Sequence, residues 1–431
     1  MPGLKASEYY KYLGLHLRSS GATTTALERL SGQLGNLSRA PLKPQQRLYI
    51  LKTNVIPGLL HQLVLGRVRT GFLRNLDAEI RKSVRRWLKF PHDLHLANFY
   101  ARVKDGGLGI KSLEFTIPIL KQRRMLKART SADPVVSEAT QTEDFDHRLR
   151  YWTKPRNYNG HSMDCKQLQE LAWSLELVKS TDGKGLRHAL ASPTAQKWVS
   201  DGSTLMSGHR YCAALNLRAG TLPSGVRLDR GRNTDRRYCS AKCGGFEFLG
   251  HILQSCPRTH GGRVERHNQL VSLVRRSLRA LKYNVITEQR IDVVYQGAST
   301  FRKPDIVFWN EDRSGVLDVS VHQDNLEDPN GGHSHKVDKY SEFPEIVQYV
   351  KQISRGVTPA TIEPEFTALA VNWRGIINPQ SEADLRRYGF RTSAIKLLAV
   401  RAVEYGTVIH RQFNTSTATY RRTRQRARLG G

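Results

Sequence analysis

The sequence lacks the long hydrophobic segment that a membrane-spanning helix requires. No run of about 18 apolar residues occurs along the chain, so we expect no transmembrane helix. Residues 1–5, Met-Pro-Gly-Leu-Lys, do not have the charged and apolar regions of a signal peptide. A lipidation motif and a basic amphipathic anchor are also missing. These absences predict that the protein has no membrane partner.

Cysteines and acidic residues are both scarce in this chain. Its 431 residues include only five cysteines, an odd number, and three of them lie between residues 239 and 256. This pattern argues against a disulfide framework and favours a reducing compartment with a metal site. The 38 acidic residues are outnumbered by 68 lysines and arginines, which gives a net charge of +30. A chain this basic is typical of nucleic-acid-binding proteins, and we expect no small-molecule substrate.

Two aspartates stand beside short apolar runs in the last third of the chain. Asp305 precedes one run, Asp318 lies within a second, β-branched run, and residues 310–315 between them are rich in turn formers. The pattern predicts a hairpin of two short strands. If the turn is symmetric, Asp305 faces Ser320 and lies diagonal to Asp318, roughly 7–8 Å away at the backbone. Both carboxylates would then be on one side of the sheet.

Two carboxylates on one face of a sheet repel each other unless a cation lies between them. Oxygen ligands with room for water suit magnesium, and a nearby lysine would complete a site that cleaves phosphodiesters. Glu288 is a possible further ligand, although a surface position is the simpler interpretation for it. The alternative for the pair is structural: Asp318 would be a surface residue at a strand end, and Asp305 would cap the turn after Pro304.

Two downstream lysines are the candidates for the cationic group. Lys336 and Lys339 are three residues apart, so they share one face if the segment is helical. We favour Lys339, because the neighbouring Tyr340 could pack on the core and fix its direction.

This segment resembles the restriction-like endonuclease of site-specific non-LTR retrotransposons. The signature of that family is Lys/Arg-Pro-Asp, a dozen residues, Asp or Glu, and lysines further downstream. Here Lys303-Pro304-Asp305 is followed by twelve residues and Asp318. Simple restriction enzymes carry a lysine two residues after the second acid, where this chain has Ser320, so the lysine must come from elsewhere, as it does in this family. The resemblance implies an α/β nuclease with a mixed sheet and magnesium.

A second signal is a cluster of cysteine and histidine. The spacing Cys239-x3-Cys243-x7-His251-x4-Cys256 fits a tetrahedral zinc site. His260 is a rival fourth ligand, and a chance cluster is the alternative to a metal site. Arginines surround the cluster, which is typical of a nucleic-acid module. Including Lys303 beside the acidic pair, the candidate nucleic-acid-binding residues of this half are Arg230, Arg232, Arg236, Arg237 and Lys303.

The pattern of the first third of the chain predicts helices. A helix around residues 72–88 is apolar on one face and carries Arg81 and Arg85 on the other. A solvated face is the ordinary interpretation, but a face of one sign in so basic a chain favours phosphate contact. Residues 9–15 resemble the last palm strand of a non-LTR reverse transcriptase, and Gly106–Ile110 is similar to a turn in its thumb. Because no Tyr/Phe-x-Asp-Asp sequence occurs, we expect no polymerase catalytic centre here.

The order of these segments resembles the C-terminal part of a ribosomal-DNA-inserting (R-two type) retrotransposon polyprotein. The resemblance implies that the endonuclease nicks target double-stranded DNA in the nucleus and that the freed 3′-hydroxyl primes copying of the element RNA. The alternative is an inactive, zinc-containing nucleic-acid-binding protein from a truncated element. The expected multidomain layout is 1–22, the last palm strand; 23–130, an α-helical thumb; 131–200, a linker with one helix around residues 168–178; 201–262, the zinc knuckle; 263–415, the endonuclease; and 416–431, an unstructured basic tail.

Overall fold

A computed structural model describes residues 10–12, 15–18, 21–23, 25–201, 204–230, 232 and 237–426. These residues divide into two compact units. The first unit holds the described residues up to 103 together with 107–180, and the second holds 104–106 together with the described residues from 181 onward.

The first unit is mainly helical. Three short antiparallel strands, rather than one, precede its helices, while residues 9, 13 and 14 of the expected palm strand lie outside the described part of the chain. Its elements are β1 (Tyr10–Tyr12), β2 (Leu15–Arg18), β3 (Gly21–Thr23), α1 (Ala26–Arg39), α2 (Pro44–Ile50), α3 (Ile56–Leu65), α4 (Thr70–Leu88), α5 (Ala97–Tyr100), α6 (Leu113–Arg129), α7 (Pro134–Glu138), α8 (Glu143–Thr153), β4 (Asn157–Tyr158), β5 (His161–Ser162) and α9 (Lys166–Lys179).

A π-helical turn at Leu51–Val55 joins α2 and α3 into one continuous helical stretch. Pro57 follows it and lacks the N–H that a regular helix would use, so the wider turn accommodates the proline without a break. By length and composition alone the stretch Pro44–Leu65 could cross a membrane, unlike the sequence expectation. The core helix of a globular domain can have the same length and apolar composition as a membrane-spanning helix. Leu51 and Leu59 of this stretch are fully buried within the unit.

The segment 131–200 contains more regular structure than expected. The single helix predicted around residues 168–178 is α9, but α7 and α8 precede it. Thr142 caps α8 by accepting a hydrogen bond from the Phe145 amide, and Phe145, Leu149 and Trp152 form its buried face. Amphipathic spacing and a polar N-cap therefore produce a helix in a part of the linker where the sequence analysis expected none.

The second unit combines helices with a mixed sheet. Its elements are α10 (Pro193–Gln196), α11 (Trp198–Asp201), α12 (Gly208–Arg218), α13 (Gly225–Leu228), α14 (Leu249–Gln254), α15 (His260–Ala280), β6 (Asn284–Thr287), β7 (Ile291–Tyr295), β8 (Ala298–Arg302), β9 (Ile306–Trp309), β10 (Ser314–His322), α16 (Gly331–Ser341), α17 (Pro344–Ser354), β11 (Glu365–Asn372), α18 (Pro379–Arg387) and α19 (Thr392–Arg426).

The four-stranded sheet has the order β11-β10-β9-β6. Strands β10 and β11 are parallel, whereas β9 is antiparallel to both of its neighbours. The mixed sheet predicted from the sequence is therefore confirmed. Helices α16 and α17 form the crossover between β10 and β11, as a parallel pair requires.

Helices cover both faces of this sheet. One face packs against α15, α18 and α19 through an apolar cluster that includes Leu270 and Leu278 of α15, with Leu317 and Leu369 from the strands. The other face packs against α16 and α17 through a cluster that includes Val316. Because β10 is covered on both sides, its acidic residue Asp318 lies in the interior.

The C-terminal arginine-rich segment differs from the expectation. It was expected to be unstructured from residue 416, but α19 continues to Arg426, and only residues 427–431 of the expected tail lie outside the described part of the chain. Arginine is a good helix former, so a helix anchored by the buried residues Leu398, Ile409 and Phe413 can extend into the basic segment.

Candidate active site and metal centre

The hairpin of β9 and β10 brings Asp305 and Asp318 together. Ile306 pairs with Leu317, so the next residue outward on each strand, Asp305 and Asp318, stand directly opposite each other. The diagonal arrangement with Asp305 facing Ser320 was therefore wrong, although the common side of the sheet is retained. The two carboxylates are consequently closer than the sequence predicted.

The turn explains this register. The Asn310 side chain accepts hydrogen bonds from the amides of Asp312 and Arg313, at 3.0 and 2.8 Å. The Asn310 amide also donates to the Arg313 carbonyl at 2.8 Å. These bonds close the turn over four residues, and β10 begins at Ser314. Because Asn310 forms hydrogen bonds within its own turn, the register of the hairpin differs by two residues from the one expected for a symmetric turn over residues 310–315.

Asp305 accepts hydrogen bonds at both carboxylate oxygens. Its Oδ2 accepts from the Val319 amide at 2.7 Å, and its Oδ1 lies 3.1 Å from Nε2 of His267 on α15. Burial acts to raise the pKa of Asp305, but the hydrogen bond and charge of His267 and the hydrogen bond from the Val319 amide together outweigh burial and hold that pKa below its usual range. The hydrogen bond with Asp305 raises the pKa of His267.

Asp318 is almost fully buried, with 2 % of its surface exposed. The Tyr340 hydroxyl donates to its Oδ1 at 2.9 Å, and the Lys336 ammonium lies 2.6 Å from its Oδ2. Burial, followed by the charge of Asp305, raises the pKa of Asp318. The two carboxyl groups therefore have pKa values shifted in opposite directions by their surroundings, a pattern that recurs at functional sites.

Helix α16 presents both candidate lysines to this site, as the helical spacing predicted. Lys336 contacts Asp318 directly. Lys339 instead donates to the Tyr340 hydroxyl at 2.9 Å, so it reaches Asp318 through one intervening group. Tyr340 is buried and holds Lys339 as expected. The direct contact nevertheless makes Lys336 the lysine nearer to the carboxylates.

Three other positions complete the picture of this cluster. Ser320 lies two residues beyond Asp318 on the same side of β10, and its hydroxyl has no hydrogen-bond partner among the described residues. The lysine that contacts Asp318 comes instead from α16. Glu288 is exposed, and its carboxylate pairs with Lys303 at 2.7 Å. That geometry agrees with a surface glutamate rather than a further metal ligand.

Sequence reasoning missed His267 and the bond between Tyr340 and Asp318. His267 is separated from Asp305 by 38 positions along the chain, and no local pattern links a helix histidine to a later strand. Only the packing of α15 against the sheet brings them together. The only sequence signal that could have identified His267 as a candidate site residue is its place on the polar side of an amphipathic helix next to the predicted hairpin.

The donor set of the acidic pair fits a hard divalent cation. The two opposed carboxylates offer oxygen atoms, and each oxygen retains a lone pair beyond the contact that it already makes. Oxygen ligands of this kind suit magnesium better than zinc. Residues Asp305 and Asp318 would hold the ion.

The four predicted zinc ligands converge as expected. The ligand atoms of Cys239, Cys243, His251 and Cys256 all lie within 4.8 Å of one another. The sulfur atoms of Cys239 and Cys256 are 3.8 Å apart, and Nε2 of His251 is 3.3 Å from the Cys243 sulfur. His260, the rival ligand, is exposed and outside this group. Three thiols and one imidazole are a donor set that could bind zinc.

Burial favours the uncharged form of both kinds of ligand group. Burial lowers the pKa of His251, which favours the neutral, coordinating form. Burial raises the pKa of Cys239 to about 12, and a coordinated metal would be needed to remove that proton at neutral pH. The buried carboxylate of Glu247 fixes the surrounding loops by accepting from the amides of Gly225 and Ser240, at 2.9 and 2.7 Å.

The cysteine cluster is connected to the four-stranded sheet. Helix α14 carries His251 and ends at Gln254, whose side-chain amide donates to the His322 carbonyl at the end of β10 at 2.9 Å. Gln254 also accepts from the buried Arg266 at 2.9 Å. Arg266 precedes His267, so the two candidate sites share the start of α15.

The predicted nucleic-acid-binding residues have different surroundings. The Arg81 and Arg85 guanidinium groups lie on the rings of Tyr100 and Phe99, with distances to the ring centroids of 5.9 and 4.9 Å. This packing leaves less of each group for phosphate than a solvated helix face would. Two of the remaining candidates form ion pairs, Arg230 with Asp182 and Lys303 with Glu288. Arg232 and Arg237 are exposed, and Arg236 lies outside the described residues.

Comparison with known proteins places these features in context. The chain is 34% identical over 387 residues, 88% of its length, to the Retrovirus-related Pol polyprotein from type-2 retrotransposable element R2DM of Drosophila melanogaster. It is 31% identical over 422 residues to a corresponding type-1 R2 polyprotein of Nasonia vitripennis. It spans 35% and 39% of those two proteins. A further R2 polyprotein, from Popillia japonica, is 31% identical over 347 residues, which are 70% of that protein. No protein-family model matches the sequence.

Proposed function

Because the chain belongs to the R2-type family of non-LTR retrotransposon Pol polyproteins, we propose that its second unit is a magnesium-dependent endonuclease. In this proposal residues 263–415 form a restriction-like endonuclease that nicks one strand of target double-stranded DNA. The nick provides the 3′-hydroxyl for target-primed reverse transcription of the element RNA, with the polymerase activity belonging to the full-length protein. Ribosomal DNA is the proposed target, and the nucleus is the proposed location.

The observation that carries this proposal is the direct opposition of Asp305 and Asp318 beside Lys336. Two carboxylates facing each other across a hairpin are costly unless a cation or proton compensates them. Here the compensating groups are His267, Tyr340 and Lys336, which fix the carboxylates from two helices on different sides of the hairpin. Such rigid placement is what a hydrolytic site needs.

Each residue has a distinct part in the proposed reaction. Magnesium bound by Asp305 and Asp318 would lower the pKa of a water molecule and polarise the scissile phosphate. Lys336 offsets the negative charge that develops on the phosphate. His267 and Tyr340 hold the two carboxylates in place. Lys339 lies one hydroxyl group further away and is proposed to contact the DNA backbone.

The cysteine cluster is proposed to hold zinc and to serve as a nucleic-acid module. Exposed aromatic rings accompany it: Tyr238 and Phe246 stack with centroids 5.2 Å apart, and both are about half exposed. The exposed Arg232 and Arg237 add positive charge nearby. Aromatic rings next to arginines are suited to nucleotide stacking and phosphate contact.

Plasmid nicking tests the proposed function. The purified chain should convert supercoiled plasmid to the open-circular form with magnesium, because the carboxylate pair then holds the ion that activates water. The reaction should stop when EDTA removes the metal. Agarose gel electrophoresis measures the conversion, and Asp305→Ala protein purified in the same way controls for contaminating nuclease. Plasmid binding without nicking at any magnesium concentration would support the inactive, zinc-containing binding protein instead.

The two lysines should differ in effect. Lys336→Met should slow nicking by roughly 10²–10³-fold, the range for losing a charge-stabilising donor, because this ammonium contacts the Asp318 carboxylate. Lys339→Met should weaken DNA binding more than it lowers the nicking rate of the protein–DNA complex. Single-turnover nicking at saturating protein separates the two effects.

The Lys282→Met variant, which changes an exposed lysine just beyond the C-terminal end of α15, provides the comparison for loss of charge alone. A larger rate loss in Lys339→Met than in Lys336→Met would return the preference to Lys339.

A further inference from the structure

A cavity of about 690 Å³ lies within the helical first unit. The loop between α3 and α4, together with one side each of α6 and α8, forms its walls. This volume is in the range of small-ligand sites, roughly 300–1,000 Å³. Neither the carboxylate pair nor the cysteine cluster belongs to it. Its cationic side chains are Arg67, Arg69, Lys121, Arg124 and Arg148.

The positive charge of this cavity is largely uncompensated. Acidic residues are absent from its lining among the described residues. Within the same described part of the chain, Arg67, Arg69 and Arg124 form no ion pair. Arg148 pairs with Asp144 at 2.9 Å, but both side chains are about half exposed or more, so water screens that pair. Cations gathered without acidic partners favour an anionic occupant.

Lys121 gives the cavity a fixed wall. It is 7 % exposed, and its ammonium donates to the carbonyls of Val64 and Gly66 at 2.9 and 2.6 Å. These bonds hold the loop that carries Arg67 and Arg69. Burial, with the nearby charges of Arg124 and Arg148, lowers the pKa of Lys121 to about 8.

Aromatic side chains form the other part of the lining. Tyr151 is 37 % exposed, and its hydroxyl lies 3.0 Å from Oγ1 of Thr70. Its ring meets Trp152 edge to face, with centroids 4.7 Å apart and an interplanar angle of 86°. Trp152 is itself buried, and the Lys121 ammonium lies 5.2 Å from its ring centroid. Tyr151 is thus a partly exposed ring held in a defined place.

We propose that this cavity binds single-stranded nucleic acid, taking one unstacked nucleotide with its phosphates on the arginines and its base against Tyr151. Proteins hold single strands by stacking bases on aromatic rings and by contacting phosphates with cationic side chains. The exposed Tyr151 ring beside several arginines offers both kinds of contact. A duplex is a poor occupant, because its bases are stacked on one another and cannot reach a ring inside a cavity. The site goes beyond the proposed endonuclease and does not require it to be active.

Photocrosslinking with a 12-nucleotide oligodeoxythymidylate carrying 5-iodouracil locates the bound strand. The experiment uses the full chain in EDTA, so nicking neither contributes to the result nor limits it. Mass spectrometry should find the crosslinked peptide within residues 143–153, with Tyr151 as the modified residue. The same oligonucleotide annealed to its complement should crosslink poorly there.

Matched variants on α6 and α8 separate this cavity from general positive charge. Arg124→Ala/Arg148→Ala removes two cavity arginines, whereas Arg123→Ala/Arg150→Ala removes two exposed arginines from the same helices outside its lining. The salt dependence is the slope of the logarithm of the binding constant against the logarithm of the salt concentration. The first pair of substitutions should reduce the size of this slope by about 1.4, because each of two lost single-strand phosphate contacts contributes about 0.7. The control pair should leave the slope and the crosslink unchanged.

Three results would overturn the proposal. The first is crosslinking confined to other peptides while the oligonucleotide is bound. The second is an equal loss of slope and crosslink in both double variants, which would mean general electrostatic attraction. The third is equal crosslinking of single strand and duplex at Tyr151.

Discussion

Replacing Asp318 by alanine should abolish plasmid nicking while DNA binding stays intact or becomes tighter. The substitution removes a metal ligand, so we expect a loss greater than the roughly 10–100-fold that changes to residues around a metal's ligands cause. Binding should not weaken, because a negative charge leaves the site that the phosphate approaches. Asp305→Ala should behave in the same way. Nicking assays and fluorescence anisotropy with a labelled duplex measure the two properties separately.

The folded state of these variants needs its own control. Asp318→Ala leaves the Lys336 ammonium without its buried partner, so the isosteric Asp318→Asn should be compared with it by thermal melting. Asp312→Ala changes an exposed aspartate in the turn of the same hairpin and should retain nicking. Cleavage that survives in both Asp305→Ala and Asp318→Ala would remove the carboxylate pair from the mechanism.

Removal of the cysteine cluster should have a large effect on stability. A Cys239→Ser/Cys243→Ser variant should lose about one bound zinc ion per chain, because the remaining histidine and cysteine cannot complete a tetrahedral site. Structural zinc contributes roughly 10–16 kcal/mol in small isolated modules. A loss of even about 4 kcal/mol would lower the melting temperature of the second unit by roughly 8–16 °C. Elemental analysis and calorimetry provide the two measurements.

Cys165→Ser is a suitable control for that experiment. Cys165 caps α9 in the first unit, where its sulfur accepts from the Leu168 amide, and serine can take over that role. Zinc content and melting temperature should both be retained. If the double variant is metal-free but melts like the wild type, the cluster does not stabilise the fold.

The sequence could predict the hairpin and its two aspartates because both signals are local. β-Branched runs and turn-forming residues lie within about twenty positions of each other, and the lysines follow on one helix face. The register was not predictable at that level. It depends on the side chain of Asn310, which closes the turn earlier than a symmetric turn over residues 310–315 would.

The partners of the carboxylates depend on tertiary packing. His267 reaches Asp305 only because α15 packs on the sheet, and Tyr340 reaches Asp318 only because α16 covers the other face. The helical basic segment has a similar explanation. Composition favours disorder for an arginine-rich end, but α19 is already anchored by Ile409 and Phe413 before that segment begins.

The position of the lysines on α16 has an evolutionary consequence. A lysine on β10 would be restricted by the strand's two-residue alternation, so Ser320 is the only nearby position beyond Asp318 on that side. A helix presents residues three or four apart on one face, and Lys336 and Lys339 both occur on it. Mutational drift could therefore move the cation by one helical turn through forms that carry both lysines. A lineage could relocate this group without ever losing a positive charge beside its carboxylates.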